Sequence, residues 1–181
     1  MHRLPQWDSV VRMISDKQLI KVRRAEARDG ADLAAVFRES WRDAYQGIIP
    51  AQHLESMILR RDRAWWLNAM KADGELLVVE AAGVIAGYST SGAARTRGRF
   101  GGEIYELYLA PIYQGVGIGE HLFEACRHQL DIRRLPGLIV WALADNERAA
   151  QFYWQRGGRP VAETKETFGL KRLVKIGYGW S

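Results

Sequence analysis

Cysteine is all but missing from this sequence: one residue, Cys126, stands alone among 181. A single thiol permits no internal disulfide and fits a reducing compartment. Its place on an apolar helical face reads as a core thiol rather than a nucleophile. No run of eighteen apolar residues and no signal peptide is found, so the expectation is a cytoplasmic protein with no membrane partner. The four histidines, His2, His53, His121 and His128, are scattered apart from one helical pair, and no Cys/His set has ligand spacing, so no metal is expected. Repeats, low-complexity tracts and domain linkers are absent too. What remains is 48% hydrophobic and 26% charged, the make-up of a globular domain long enough to bury a core without cross-links.

Acidic charge is in short supply. The net charge is +5 and the sequence pI is near 9.5. Yet the basic residues are spread along the chain, in short clusters at Arg23-Arg24, Arg60-Arg61 and Arg133-Arg134. The densest, Arg95-Thr96-Arg97-Gly98-Arg99, reads first as a solvated loop, second as a rim for an anionic cofactor or acidic substrate, and last as an RNA contact. No stacking-aromatic RNA module accompanies it.

Glycine is where the sequence becomes specific. Glu103 to Leu109 mixes β-branched, aromatic and aliphatic residues and predicts a strand, which Pro111 stops. Gln114-Gly115-Val116-Gly117-Ile118-Gly119 follows, and Ile118, Leu122, Ala125 and Cys126 then recur at helical spacing. A strand, a glycine turn and a helix start together aim free backbone N–H groups at one point, which suits a phosphate. The dinucleotide fingerprint needs G-x-G-x-x-G and a later acidic residue, and the ATP-type loop needs a Lys-Ser or Lys-Thr; neither is present.

The pattern Q-x-x-G-x-G resembles instead the acyl-CoA pyrophosphate loop of the GNAT superfamily of N-acetyltransferases. A second segment, Asn146-x-x-Ala149-x-x-Phe152-Tyr153, resembles the N-x-x-A-x-x-F-Y stretch after that family's fifth strand. A third, Glu39 to Pro50, resembles the SW…AY-G-I-P segment of one branch of the family, where the first helices build the acceptor site. One departure is visible: a Gly-Phe usually ends the helix after Asn146, and here Gly157 is followed by Gly158. The resemblance implies an α/β fold with a central mixed, mostly antiparallel sheet, a parallel splayed strand pair and helices on both faces. It also implies acetyl-CoA as cosubstrate and an amine as acceptor.

The periodicities give the order β-α-α-α-β-β-β-α-β-α-β-β over residues 19–181, read as one domain. Leu33, Val36, Phe37, Trp41 and Ala44 form the buried stripe of a first helix, with Asp29 placed to cap it. Asp73-Gly74 reads as a turn. Residues 1–18 read as an amphipathic helix with Trp7, Val10, Val11 and Ile14 on one face, covering either its own domain or the partner subunit of a homodimer.

Acetyl transfer to an amine needs a neutral nucleophile, a polarised carbonyl and a proton for the departing thiolate. By the resemblance, backbone groups of Leu107, Tyr108 and Leu109 meet the pantetheine and the carbonyl, and the amides of Gln114, Gly115, Val116, Gly117, Ile118, Gly119 and Glu120 hold the pyrophosphate. Asn146 steadies the pantetheine arm, Tyr153 is the general acid, and Tyr45 belongs to the substrate pocket. Glu103 is preferred as the base for its position eleven residues before Gln114, with Glu106 in reserve and water as a third candidate. On a regular strand the two glutamates face opposite sides; a bulge would re-phase them. A CoA-binding sensor or scaffold without turnover, and an RNA-binding protein, are the alternative functions.

Overall fold

The computed structural model describes residues 20–72 and 74–180. The expected N-terminal helix and Asp73 of the expected turn lie outside the described residues. The chain runs β1 (Ile20–Arg24), α1 (Gly30–Tyr45), α2 (Ala51–Arg60), α3 (Arg63–Ala69) and β2 (Glu75–Ala81). It continues through β3 (Val84–Ala93), β4 (Gly102–Leu109), α4 (Ile118–Ile132) and β5 (Leu138–Leu143). α5 (Glu147–Gln155), β6 (Arg159–Phe168) and β7 (Lys171–Trp180) complete it. This is the order expected from the periodicities.

All strands join one seven-stranded sheet of order β1-β2-β3-β4-β5-β7-β6. Every neighbouring pair is antiparallel except β4 and β5. The two faces of the sheet are fixed by β3 and β4. Tyr88 and Tyr108 pair across the strands and meet Trp66 and Trp41 on one face. The next residue, Ser89, turns to the other face, where it meets Cys126 of α4 at 2.9 Å. Helices α1 to α3 therefore cover one face and α4, with α5 packed beside it, the other. Of the predicted stripes, Leu33, Val36, Phe37 and Trp41 in α1 and Ile118, Leu122 and Cys126 in α4 are all under 8% exposed, while Ala44 and Ala125 are half-buried. Burial of the lone thiol pushes its pKa up to about 12, so it rests as a neutral core group.

One irregularity organises the centre. On β3, consecutive residues Thr90 and Ser91 pair with Glu106 and Ile104, so Tyr105 is an extra residue on β4, a β-bulge. The parallel pairing of β4 with β5 runs Gly102↔Leu138, Glu103↔Ile139 and Ile104↔Val140 and stops there. Past the bulge the two strands separate.

Asp29 stands at the N-cap position of α1, but its side chain does not cap the helix as expected. Its carboxylate accepts instead from Arg23 Nη1 at 2.7 Å, Arg23 Nη2 at 2.9 Å and the Glu26 amide at 2.7 Å. Arg23 also reaches Glu80, tying β1, β2 and the start of α1 into one buried network. Hydrogen bonding to Arg23 chiefly holds the Asp29 carboxyl below its usual range, against an opposing push from burial. The stability it contributes is complete above the ordinary carboxylate pKa of about 3.9 and is lost as pH falls through the depressed folded value. Asp29→Asn is expected to cost about 3 kcal/mol, the low end for a broken buried pair because Glu80 still faces Arg23. Urea midpoints from pH 5 down to pH 2 check this: the wild-type curve should fall more steeply than that of the variant.

Candidate active site

A cleft of about 750 Å³ opens where β4 and β5 part. Its walls come from the end of α1, the second half of β4, the loop before α4, the end of β5 and most of α5.

The loop supplies donors. A short 3-10 turn at Pro111–Tyr113 leads to Gln114, and Gly117 is the N-cap of α4. Gly115 and Gly117 have φ of +76° and +90°, and a Cβ at either would touch nothing within 4 Å. The backbone conformation, rather than crowding, is what demands glycine there. The N–H groups of Gly115, Val116, Gly117, Ile118 and Gly119 make no hydrogen bond among the described residues. Those of Gln114 and Glu120, the two ends of the expected run, are spent on Pro111 and Gly117 carbonyls, each at 3.2 Å. The side chain of Ile118 is wholly buried, so it offers the site only its amide. Of these five residues Gly115, Gly117 and Gly119 line the cleft, and unspent donors at a helix start suit an anion.

Gln114 does a second job. Its Nε2 donates to the Leu109 carbonyl at 3.0 Å, and its Oε1 accepts from Arg148 of α5. Arg148 continues to Asp43 of α1 at 2.5 Å. This polar chain links the end of β4, α5 and α1 across the cleft, and sequence reading missed Arg148. The only local hint was its place two residues after Asn146.

The splayed strand offers an edge. Tyr105, Glu106, Leu107, Tyr108 and Leu109 line the cleft, and beyond Ile104 they have no partner on β5. Opposite them stands α5. Asn146 caps that helix by accepting from the Ala149 amide at 3.1 Å. Tyr153 lines the cleft, and its hydroxyl makes no hydrogen bond among the described residues. Burial, then the neighbouring Tyr45 and Cys126, push its phenol above the usual range, so it keeps its proton at neutral pH. Beyond the end of the helix stands Gly158, whose Cβ would strike Trp180 Cζ2 at 2.5 Å. Trp180 therefore leaves no room for a side chain at position 158. It donates to the Arg156 carbonyl at 2.7 Å and packs on Phe123 and Tyr153 with ring centroids 5.3 and 6.0 Å away.

The α1 side is aromatic. Tyr45 Oη and Tyr108 Oη lie 2.6 Å apart, and both phenols are pushed up, first by burial. The bulge turns Glu103 and Glu106 to the same face, since they pair with Gly92 and Thr90. Only Glu106 reaches the cleft. Its carboxylate is held by Arg61, at 2.7 and 2.8 Å to its two oxygens, and by the Tyr88 hydroxyl at 3.2 Å. Arg61 in turn lies over Phe37 and Trp65, 4.5 and 4.4 Å from the ring centroids. Glu103 is 1% exposed, away from the cleft. Its oxygens accept from the Arg95 amide, Nε and Nη2 at 2.8, 3.1 and 2.6 Å. Of the two glutamates named as candidate bases, Glu103 thus has its carboxylate on the basic loop, outside the cleft, and Glu106 stands at the cleft.

Residues 33–158 match the sequence model of the acetyltransferase (GNAT) family. An uncharacterized N-acetyltransferase of Bacillus subtilis strain 168, YuaI, is 28% identical over 163 residues, 90% of this chain and 93% of that protein. The fold is similar to the PaiA N-acetyltransferase of Thermoplasma acidophilum, solved in complex with coenzyme A, at 22% identity. The TM-score is 0.70, over 86% of this chain and 97% of that one. It is also similar to yncA, a putative acetyltransferase of Salmonella typhimurium solved with acetyl-CoA, at 18% identity and a TM-score of 0.63. That match spans 90% of this chain and 93% of the other.

A branched residue at position 117 would have to adopt a left-handed backbone or turn its amide out of the cradle. Gly117→Val is expected to weaken CoA binding at least tenfold while the far-ultraviolet circular dichroism stays that of the wild type. Titration calorimetry with CoA reads the first and the spectrum the second; unchanged affinity in a folded variant would remove the cradle from the site.

Proposed function

The chain belongs to the GNAT family of acetyltransferases, and from that premise we propose that it moves an acetyl group from acetyl-CoA to a primary amine of a small molecule or a protein. The observation that carries this reading is one cleft lined by a glycine loop with unspent amides at Gly115, Gly117 and Gly119, an unpaired strand edge and Tyr153. This donor set fits CoA: amides for the phosphates, a strand edge for the amide-bearing arm, and a proton donor at the inner end.

Acetyl-CoA supplies the thioester that the amine attacks. The residues do the rest. Gly115 to Gly119 hold the anionic end through their amides, and Leu107, Tyr108 and Leu109 present backbone groups that orient the arm. Asn146 fixes the start of α5 and so the placement of Tyr153. Glu106 accepts the proton of the incoming ammonium, directly or through one water, while Arg61 and Tyr88 keep its carboxylate aimed. Tyr153, neutral because buried, donates to the departing sulfur. Tyr45 and Tyr108 wall the acceptor side. A second reading, a CoA-binding domain without turnover, is favoured by one observation: Glu106 already has its counter-ion in Arg61.

A screen of amine acceptors that follows free CoA release separates the two readings, since only the first predicts turnover. With an acceptor found, Glu106→Gln should lower the rate at neutral pH by about 10²–10⁴-fold, with a loss that shrinks as pH rises and free amine becomes abundant. Glu103→Gln should leave the rate near wild type and lower the melting temperature. The opposite pair of results would restore Glu103 as the base. Tyr153→Phe should slow single-turnover transfer and leave CoA affinity unchanged; an affinity loss with unaltered transfer would make Tyr153 a binding residue.

A further inference from the structure

We propose that Arg156 is a phosphate-binding residue for CoA, the side-chain cation that completes the amide cradle at the head of α4; the proposal rests on the reading that this cleft takes acetyl-CoA. Arg156 follows the last residue of α5 and lines the cleft. Its guanidinium lies over the Phe152 ring, 3.7 Å from the centroid. The Phe152 ring lies against the loop in turn, for a Cβ at Gly119 would come within 3.2 Å of its Cε2. Stacking thus sets the cation beside the first turn of α4, in the cleft that Gly115, Gly117 and Gly119 also line with unspent amides.

The hydrogen bonds of Arg156 are incomplete. Nη1 donates to the Phe152 carbonyl at 3.1 Å. Nε is buried and has no partner among the described residues. The nearest carboxylate, Glu120 Oε2, stands 3.7 Å from Nη2, beyond hydrogen-bond range, and its side chain is 63% exposed. The Arg156 side chain is only 17% exposed. A cation so far withdrawn from water, with most of its five donors unspent, is costly unless something anionic meets it. Its planar fork matches the geometry of phosphate oxygens. In CoA that phosphate is either the pyrophosphate or the 3′-phosphate of the ribose. Glu120, on the same helical turn, opposes the anion and is the group that the phosphate would displace from Arg156.

Calorimetric binding of CoA and of dephospho-CoA, which lacks the 3′-phosphate, to the full chain tests this. Arg156→Gln is expected to weaken CoA binding about 10- to 100-fold, the range for a hydrogen bond to a charged group. An equal loss with both ligands assigns the pyrophosphate, and a loss with CoA alone assigns the 3′-phosphate. Glu120→Gln should tighten CoA binding severalfold, and Arg156→Lys should fall between Gln and wild type. If Arg156→Gln does not fold, the other two variants carry the same test. Wild-type affinity in all folded variants would overturn the assignment while leaving the acetyltransferase reading in place. Failure of the unaltered protein to bind CoA at all would overturn both.

Discussion

The cleft depends on one extra residue in one strand. If β4 were regular, it would continue to pair with β5 past Ile104, and no edge would be open between them. Tyr105 interrupts that pairing. Its side chain is pinned by the hydroxyl donating to the Ala93 carbonyl at 2.6 Å and by Arg95 lying 4.4 Å from the ring centroid. The inserted residue also reverses the sidedness of all that follows, so Glu106 and Tyr108 face α1 to α3 rather than α4. A single bulge therefore opens the cleft and selects the side chains that line its α1 side.

Around that opening, charge is rationed. Three tyrosines, Tyr45, Tyr88 and Tyr108, meet on the α1 side, and burial keeps each phenol neutral. The ionised groups among them are Glu106 and Arg61, bound to each other. Taking such a pair out of water is expensive, and the aromatic faces of Phe37 and Trp65 against the guanidinium offset part of the cost. On the other wall, Arg148 and Asp43 form a second pair that is largely solvated and correspondingly weak. A stiff ion pair thus backs the aromatic wall, and a soft one spans the cleft.

The parts of this arrangement that were legible in the sequence are the local ones. The glycine loop, the stripes of α1 and α4 and the N-x-x-A-x-x-F-Y segment each lie within a few turns of chain, where spacing alone reports geometry. The bulge was not legible, because it exists only in the register of β4 against β3. With it went the choice between two glutamates: Glu106 meets Arg61, 45 positions earlier, and Glu103 meets Arg95 in a loop that reads as merely solvated. The departure at Gly158 was visible, but not its neighbour: Trp180, which crowds that position, comes from a strand more than twenty residues later. Asp29 lay at the cap position as expected and was drawn off by a stronger partner, the Arg23 guanidinium.

The position of β7 has a bearing on how the chain assembles. β6 precedes β7 in sequence, yet β7 sits between β5 and β6 in the sheet and brings Trp180 beneath α5. Until β7 threads into place, β6 has no neighbour on either side, and the helix bearing Tyr153 has no support from Trp180. A waiting strand of ten residues is a hazard for mispairing. β6 reads RPVAETKETF, with charges, a proline and threonines on both faces and Phe168 as its one buried residue. It is a strand able to linger in water. The composition that makes β6 contribute little to the core also suits it to water while the sheet beside the cleft is still incomplete.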